Sequence, residues 1–515
     1  MKRILLARIG DWNPQLFREL KGNLKVRNII ITITIVLIAQ FLMMVSISDS
    51  RCLDYDSCRW EINWQDGFQT LNYFLPLIGF MGGVYQLISD LYKEQSRGTL
   101  NFIRLSPQSS QKILRGKLLG VPVLIYLGLA LCIPFHLIAG LASGMPLSWI
   151  LATYTLWLAL GVLFYTAALF YSLSLENTNI LNTPTTYVSG LGCVAAFFLG
   201  LPFVKIVDFS YDLYHSNDYI VNGWSWFKLP LGQSPFMAYI WLIATLLTAS
   251  FWIWKSINRR FNNPNKTSLD KLQSYGVAAS FQLWLLGFFI PGYGGGIRED
   301  HFGVGLVCLF GIVFLFMLII VSAITPHRQH LLDWARYGHK MSQKSLRNDL
   351  LVGEKSPALL AMGIHALITV VLWSSWVLFT PKYSRFNLEI STGQIIIAMV
   401  LMLMMLLIYA AIIQLTLFLK TSKRAIISGI IFCIVAFCPL ILGGILAAEN
   451  AHLPLIWAFS PFPVLVFMEG STLTALLGFM GQVGILSSLT MTITRTLQKA
   501  GESETKTLFY PGVRH

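Results

Sequence analysis

Runs of about 20 apolar residues recur along this chain, and no other feature narrows its possible folds so sharply. A helix of that length crosses a bilayer, and its backbone polar groups satisfy one another without water. The runs lie at Ile29–Ile47, Leu71–Leu91, Leu118–Leu141, Trp149–Leu173, Tyr187–Val204 and Phe236–Trp254. They continue at Val277–Pro291, Val304–Ile324, Ala358–Phe379, Ile395–Leu419, Ala425–Ala447 and Leu473–Ile493. A further apolar piece, Leu453–Phe467, contains Pro454, Pro461 and Pro463 and is read as re-entrant or lying on the outer face. Charged residues are 12% of the chain, about half the usual share in soluble proteins. The expected fold is an all-α, polytopic transmembrane bundle of about 12 spans with both termini cytoplasmic.

The net charge of +14 does not point to nucleic acid, because the cations sit in short loops between apolar runs. One face of the expected bundle receives nearly all of them. Only Arg51, Arg59, Lys205, Lys228, Arg298, Lys382 and Arg385 fall on the other. That asymmetry fixes the basic face as the inner one. Before the first run, Leu5, Ile9, Trp12, Leu16, Leu20 and Leu24 recur at helical spacing among basic residues. This segment reads as an amphipathic lead-in on the inner leaflet, with Asn13 as N-cap and Pro14 at the first helical position. It does not read as a cleavable signal peptide, since no short apolar core with a cleavage site is present.

The two halves share a plan. Each has a basic lead-in, two spans, a long basic inner loop, two spans, a short inner turn, one span, an outer segment and a last span. Ser234-Pro235-Phe236 and Ser460-Pro461-Phe462 mark the outer segments, and Ser106-Pro107 and Ser356-Pro357 the inner loops. The expected organisation is a first six-span half over 1–256, a second over 257–495 and a polar cytoplasmic tail over 496–515. Parallel repeats of this kind place a pathway between the halves.

Lys93–Lys117, in the first inner loop, carries six cations and a single acid, Glu94. Gly98 offers a turn, Leu100 and Ile103 share one face of a short helix, and Ser106-Pro107 stops it. Two readings stay open for this stretch: a lever moved by a partner, or a solvated loop whose cations only fix topology. No G-x-x-x-x-G-K-[ST] occurs in the chain, nor a Cys/His cluster with zinc spacing, so neither ATP binding by a P-loop nor a metal is expected. His136 and His365 lie within runs; His365 reads either as a ligand or, in the reading the composition favours, as a hydrogen-bonded packing histidine. Cys52 and Cys58 fall in the first outer loop, either bridged or as two free thiols.

The stretch Glu94-Gln-Ser-Arg97-Gly98-Thr99-Leu100, then Leu105-Ser106-Pro107, then Gly116-Lys117 opening a span, resembles the ABC-2 type permeases. These are membrane subunits of one class of ATP-binding cassette exporters. Asn13-Pro14 through Phe17-Arg18-Glu19-Leu20 resembles that family's lead-in helix, and Lys205–Ser234 and His452–Gly470 its outer amphipathic element. The second half fits by plan. Its loop, Asp349-Leu-Leu-Val-Gly353-Glu354-Lys355-Ser356-Pro357, lacks the Gly-Thr-Leu. The resemblance implies a permease of the cell membrane that exports an unidentified substrate and is not itself an enzyme. ATP and Mg would be bound by a separate cytoplasmic ABC ATPase, a dimer, with membrane lipid as the other surrounding partner. It implies an ATPase-coupling site at Glu94, Arg97, Gly98, Thr99, Leu100, Ile103, Arg104, Ser106 and Pro107. A second and weaker one falls at Arg347, Asp349, Leu351, Gly353, Glu354, Ser356 and Pro357. Leu100 and Ile103 are expected to anchor in the partner while Arg97 and Arg104 steer it, with Glu94 pairing to Arg97 three residues on. The alternative is a non-ABC polytopic channel or secondary transporter.

Overall fold

The structure is a computed structural model describing residues 10–54, 57–175, 184–216, 225–227, 229–231, 235–288, 302–338, 343–379, 391–419, 421, 424–449, 451 and 453–501. Over these residues the chain is helical apart from one hairpin. The lead-in is α1 (Pro14–Asn23), capped by the Asn13 side chain, which accepts from the Leu16 amide, with Pro14 in the first turn. The first apolar run forms α2 (Val26–Ser46). An antiparallel hairpin follows, β1 (Ser48–Asp54) and β2 (Ser57–Ile62), whose register sets Cys52 opposite Cys58. The second span is the long α3 (Trp64–Ser96). The basic stretch becomes two short helices, α4 (Thr99–Arg104) and α5 (Ser110–Gly120). The rest of the first half is α6 (Val123–Ala142), α7 (Leu147–Ser174), α8 (Thr185–Ser216) and α9 (Pro235–Asn262). The outer segment expected from Lys205 onward therefore begins as a continuation of a span, because α8 runs to Ser216.

The second half opens with α10 (Lys271–Phe288) and α11 (Phe302–Ile324). Its inner loop holds α12 (Arg328–Gly338) and α13 (Gln343–Val352). Then come α14 (Leu359–Phe379), α15 (Thr392–Leu417) and α16 (Arg424–Ala448). The proline-rich piece is broken into α17 (Leu455–Ala458), a single 3-10 turn at Pro463–Leu465 and α18 (Val466–Glu469). Fragments of four residues do not span a bilayer. Their interruption falls where Phe459, Ser460, Pro461 and Phe462 break the helix, and Gln482 Nε2 donates to the Ala458 carbonyl to tie the piece down at 2.6 Å. The last helix, α19 (Thr472–Gly501), absorbs the start of the expected tail. Residues 502–515 lie outside the described residues, as does the glycine turn at 292–296.

Eleven described helices are long and apolar enough to cross a membrane. Of the twelve expected spans, only α10 falls outside that set. Lys271, Gln273, Ser274 and Gln282 dilute its apolar content. The chain is a multi-pass, all-α membrane protein. It divides into two compact units, Met1–Val221 with Leu231–Pro264, and Asn222–Pro230 with Asn265–His515. The expected break at 256/257 thus moves to Pro264/Asn265, and nine residues of the first half's outer segment belong with the second unit. The first unit's core is built on Phe80, Leu87, Leu91, Leu100, Leu160 and Leu169. The second unit's core is built on Phe310, Trp373, Met402, Met405 and Tyr409, so three of the Met399–Met405 methionines pack inward.

Candidate functional site

The first inner loop is held from beneath by a cluster of charges. Lys117, on α5, has no exposed surface. Its Nζ lies 2.6 Å from Asp90, 2.7 Å from Glu94 and 3.5 Å from Glu19. Arg18 on α1 adds contacts to Glu94 at 2.5 Å and Glu19 at 3.1 Å. Gln15 Nε2 donates to Glu19 at 2.6 Å. Burial works against the Lys117 charge, but Asp90, Glu94 and Glu19 more than offset it and hold the pKa above the ordinary lysine value. The three carboxylates come together as they would around a metal ion, and here the ammonium takes that central place. Glu94 therefore does not pair with Arg97, as local helix spacing suggested. Arg97 ends α3 and is exposed.

Local sequence explains how these groups meet. α1 and α5 run side by side in the same direction. Asn13 Nδ2 donates to the Lys112 carbonyl at 2.7 Å, and Asn23 Nδ2 to the Gly120 carbonyl at 3.3 Å. Between those ends, Gly116 and Gly120 present bare backbone. A Cβ on Gly116 would sit 2.8 Å from the Leu16 nitrogen, and one on Gly120 2.6 Å from Glu19 Cβ. The glycines let α1 approach closely enough for Glu19 to reach Lys117. Their four-residue spacing was the signal available for this contact, beside Asp90 standing alone at the end of an apolar run.

Above the cluster the chain turns through Gly98, whose φ of 72° is a left-handed conformation that glycine adopts freely. Thr99 Oγ1 donates back to the Glu94 carbonyl at 3.2 Å. On α4, Leu100 is 1% exposed and belongs to the unit's own core, while Ile103 is half-buried against that core. Leu100 is thus not a partner anchor, a correction that follows from the helix facing inward at 100 and 103. The outward apolar side chains are Phe102 and Leu105, 77% and 82% exposed. Arg104 is anchored by Asn101 and lies over the Phe261 ring, 5.4 Å from its centre. Ser106 donates its amide to the Ile103 carbonyl, and Pro107 is exposed.

The second inner loop is held differently. Lys271 Nζ donates to the Leu350 carbonyl at 2.8 Å, to Ser356 Oγ at 2.6 Å and to the Pro357 carbonyl at 3.2 Å. Lys271 opens α10, ahead of its apolar run. Burial lowers its pKa to about 8, with Asp349 acting weakly in the other direction. Ser356 Oγ also donates to the Asp349 and Gly353 carbonyls, at 2.6 and 3.1 Å. Asp349 accepts from the Trp334 indole, and the Leu351 carbonyl accepts from the Tyr275 hydroxyl. Glu354 lies 3.6 Å from Lys266. Arg347 is exposed and Leu351 half-buried. Ser356 and Pro357 are buried whereas Ser106 and Pro107 are not, so the two Ser-Pro pairs occupy different environments.

Deeper in the bundle both histidines are buried. His136 bonds Asn72 at 3.0 Å and Tyr154 at 2.8 Å, and His365 Nε2 meets Ser274 at 3.0 Å. Cys52 and Cys58 are register partners in the hairpin, and their side chains lie outside the described residues.

Fold and site together define a polytopic helical membrane protein whose inner loops are riveted to its spans by buried lysines. Comparison with family models, with curated proteins and with solved structures finds no match for the chain.

Proposed function

We propose that this chain is the membrane-spanning permease of an ABC-type exporter in the cell membrane, driven by ATP hydrolysed in a separate cytoplasmic ATPase. One observation carries the reading. A short helix in the basic inner loop turns two large apolar side chains, Phe102 and Leu105, outward, while its other face is fixed in the core by Leu100. Exposed apolar residues on a rigidly seated helix suit insertion into a groove of a partner. The charge cluster beneath ties α4's neighbours to α1, α3 and α5, so a push on α4 reaches the spans rather than dissipating in a loose loop. The resemblance of the 94–117 stretch to ABC-2 permeases supplies the kind of partner.

The test is co-expression with a candidate ATPase encoded beside it. The purified chain alone should hydrolyse no ATP, and the complex should. Phe102→Asp with Leu105→Asp should leave folding intact and lower ATPase co-purification at least about tenfold, which is ~1.4 kcal/mol. Azide-insensitive hydrolysis by rigorously pure chain would refute the reading, as would full co-purification with the doubly substituted chain.

A further inference from the structure

The charge cluster at Lys117 uses up the acids of its neighbourhood. Between Gly10 and Arg27 the acids are Asp11 and Glu19, and from Arg97 to Gly120 there is none. Glu19, Asp90 and Glu94 all turn inward, to Lys117 and Arg18. The outward cations of α1, of α5 and of the start of α2 are left without counter-charge. Lys21, Lys25, Arg27, Lys112 and Arg115 are exposed, and no ion pair or hydrogen bond engages their side chains among the described residues.

Two helix ends fix where these cations sit. Asn23 Nδ2 reaches the Gly120 and Val121 carbonyls at 3.3 and 3.4 Å, so the end of α1 lies against the end of α5. From that level each chain enters a span, α2 at Val26 and α6 at Val123, and both spans are long and apolar enough to cross a membrane. The two spans stay together beyond it. Gln40 Nε2 donates to the Leu131 carbonyl at 2.9 Å, and a Cβ on Gly128 would lie 3.6 Å from Val36. Val26, Ile30 and Ile31 on α2 and Leu119 on α5 are exposed. On α1, Phe17, Leu20 and Leu24 form a half-buried apolar stripe at helical spacing. The unpaired cations therefore stand within about three helical turns of the level where apolar surface begins.

We propose that α1 and α5 together form a binding surface for anionic phospholipid headgroups, in the leaflet where α2 and α6 begin. Lysine and arginine side chains whose neighbouring acids are spent offer donors and positive charge only, which suits a phosphate. Basic segments beside a span are drawn to anionic lipid, and their apolar stems lie along the boundary while the charged heads reach the headgroups. Acyl chains would run along the exposed side chains of α2. An acidic protein surface could answer the same cations, but not Val26, Ile30 and Ile31, which belong to a spanning helix and are met by lipid. The lead-in thus does more than rest on a leaflet: it selects for headgroup charge, and α5 supplies part of the surface. That preference holds whether or not the chain is a permease.

Native mass spectrometry of the purified full-length chain tests the surface, with phosphatidylglycerol and phosphatidylcholine of the same acyl chains added in equal amounts to the detergent micelle. Wild type is compared with two variants. One carries Lys21→Gln, Lys25→Gln, Arg27→Gln, Lys112→Gln and Arg115→Gln. The other loses as many exposed cations elsewhere, through Lys93→Gln, Arg97→Gln, Arg336→Gln, Arg347→Gln and Lys355→Gln. Wild type should retain phosphatidylglycerol over phosphatidylcholine by at least about tenfold. The first variant should lose at least about fivefold of that preference, and the second less than about twofold. Should the first variant fail to fold, Lys25→Gln with Arg115→Gln, one cation beside each helix end, should still lower the preference at least about twofold. No preference in wild type would overturn the proposal. An equal fall in both variants would do the same, because net charge alone would then explain the binding. A first variant that keeps its lipid preference but no longer holds a co-expressed ATPase would make the surface a protein dock and overturn the lipid assignment.

Discussion

The inner ends of the two units each bury a lysine under their loop, and the two lysines are held by opposite means. Lys117 is surrounded by three carboxylates and is charged more firmly than a lysine in water. Lys271 meets two carbonyls and a hydroxyl, and burial weakens its charge. An ammonium among carboxylates is held by long-range attraction from more than one element at once, here α1 and α3. An ammonium among neutral oxygens depends on short hydrogen bonds to one loop. The first inner loop is thereby rigidly coupled to its spans, and the second is pinned chiefly by short hydrogen bonds.

The largest effect should come from removing the rivets. Lys117→Met leaves Asp90, Glu19 and Glu94 with only the half-exposed Arg18 as counter-charge and should cost about 3–5 kcal/mol. Lys271→Met leaves only neutral acceptors short of a donor and should cost about 1–3 kcal/mol, less whatever is regained by not burying a charge. Thermal unfolding of the two full-length variants in detergent measures both. Equal losses would erase the distinction between the units.

pH separates the two lysines next. Lys271 has its folded pKa near 8 against an ordinary 10.5. Between those values the unfolded chain holds more protons, so stability rises with pH, by up to about 3 kcal/mol across the window. Lys117 has a raised folded value, so its contribution is complete below 10.5 and is lost only as pH climbs through that higher value. Melting temperatures taken between about pH 8 and 10 should rise more steeply in wild type than in Lys271→Met. Identical slopes would show that Lys271 does not titrate there.

At the outer end, the hairpin that sets Cys52 opposite Cys58 belongs to the first unit alone. Bridged, the pair should add about 2 kcal/mol, and a membrane-impermeant thiol reagent should label it only after reduction. Labelling without reductant would leave two free thiols.

The smallest effect on stability should come from the surface that matters most for the proposed partner. Phe102→Asp should change unfolding by no more than about 0.5 kcal/mol while weakening ATPase association. Val352→Asp, at the 44% exposed apolar residue of the second loop, should weaken association less. Leu100→Asp cannot serve as a docking probe, because it places a carboxylate in the first unit's core. Loss of the partner on Val352→Asp but not on Phe102→Asp would transfer the docking role to the second unit.

Much of this was legible beforehand where the physics is local. Asn13-Pro14 capped and opened α1 as read, Gly98 made the turn before α4, and Ser106-Pro107 ended it. Leu100 and Ile103 did share a face, but which way that face turned depended on α3, α7 and α9 beneath it. Glu94 and Arg97 were near in sequence, yet Glu94 went to Lys117 and Arg18, because the packing of α1 and α5 against the end of α3 brings those two cations to it. Glu19 and Lys271 carried no mark in the sequence to separate them from ordinary loop charges, whereas Asp90 stood alone at the end of an apolar run.

By itself the sequence determined the multi-pass membrane class and the helices, since apolar length acts on each segment separately, with the bilayer as common reference. Only the tertiary structure decided which charges are buried together and which side chains of α4 look outward. Those outcomes rest on contacts between segments tens of residues apart, and such contacts exist only once the helices have packed.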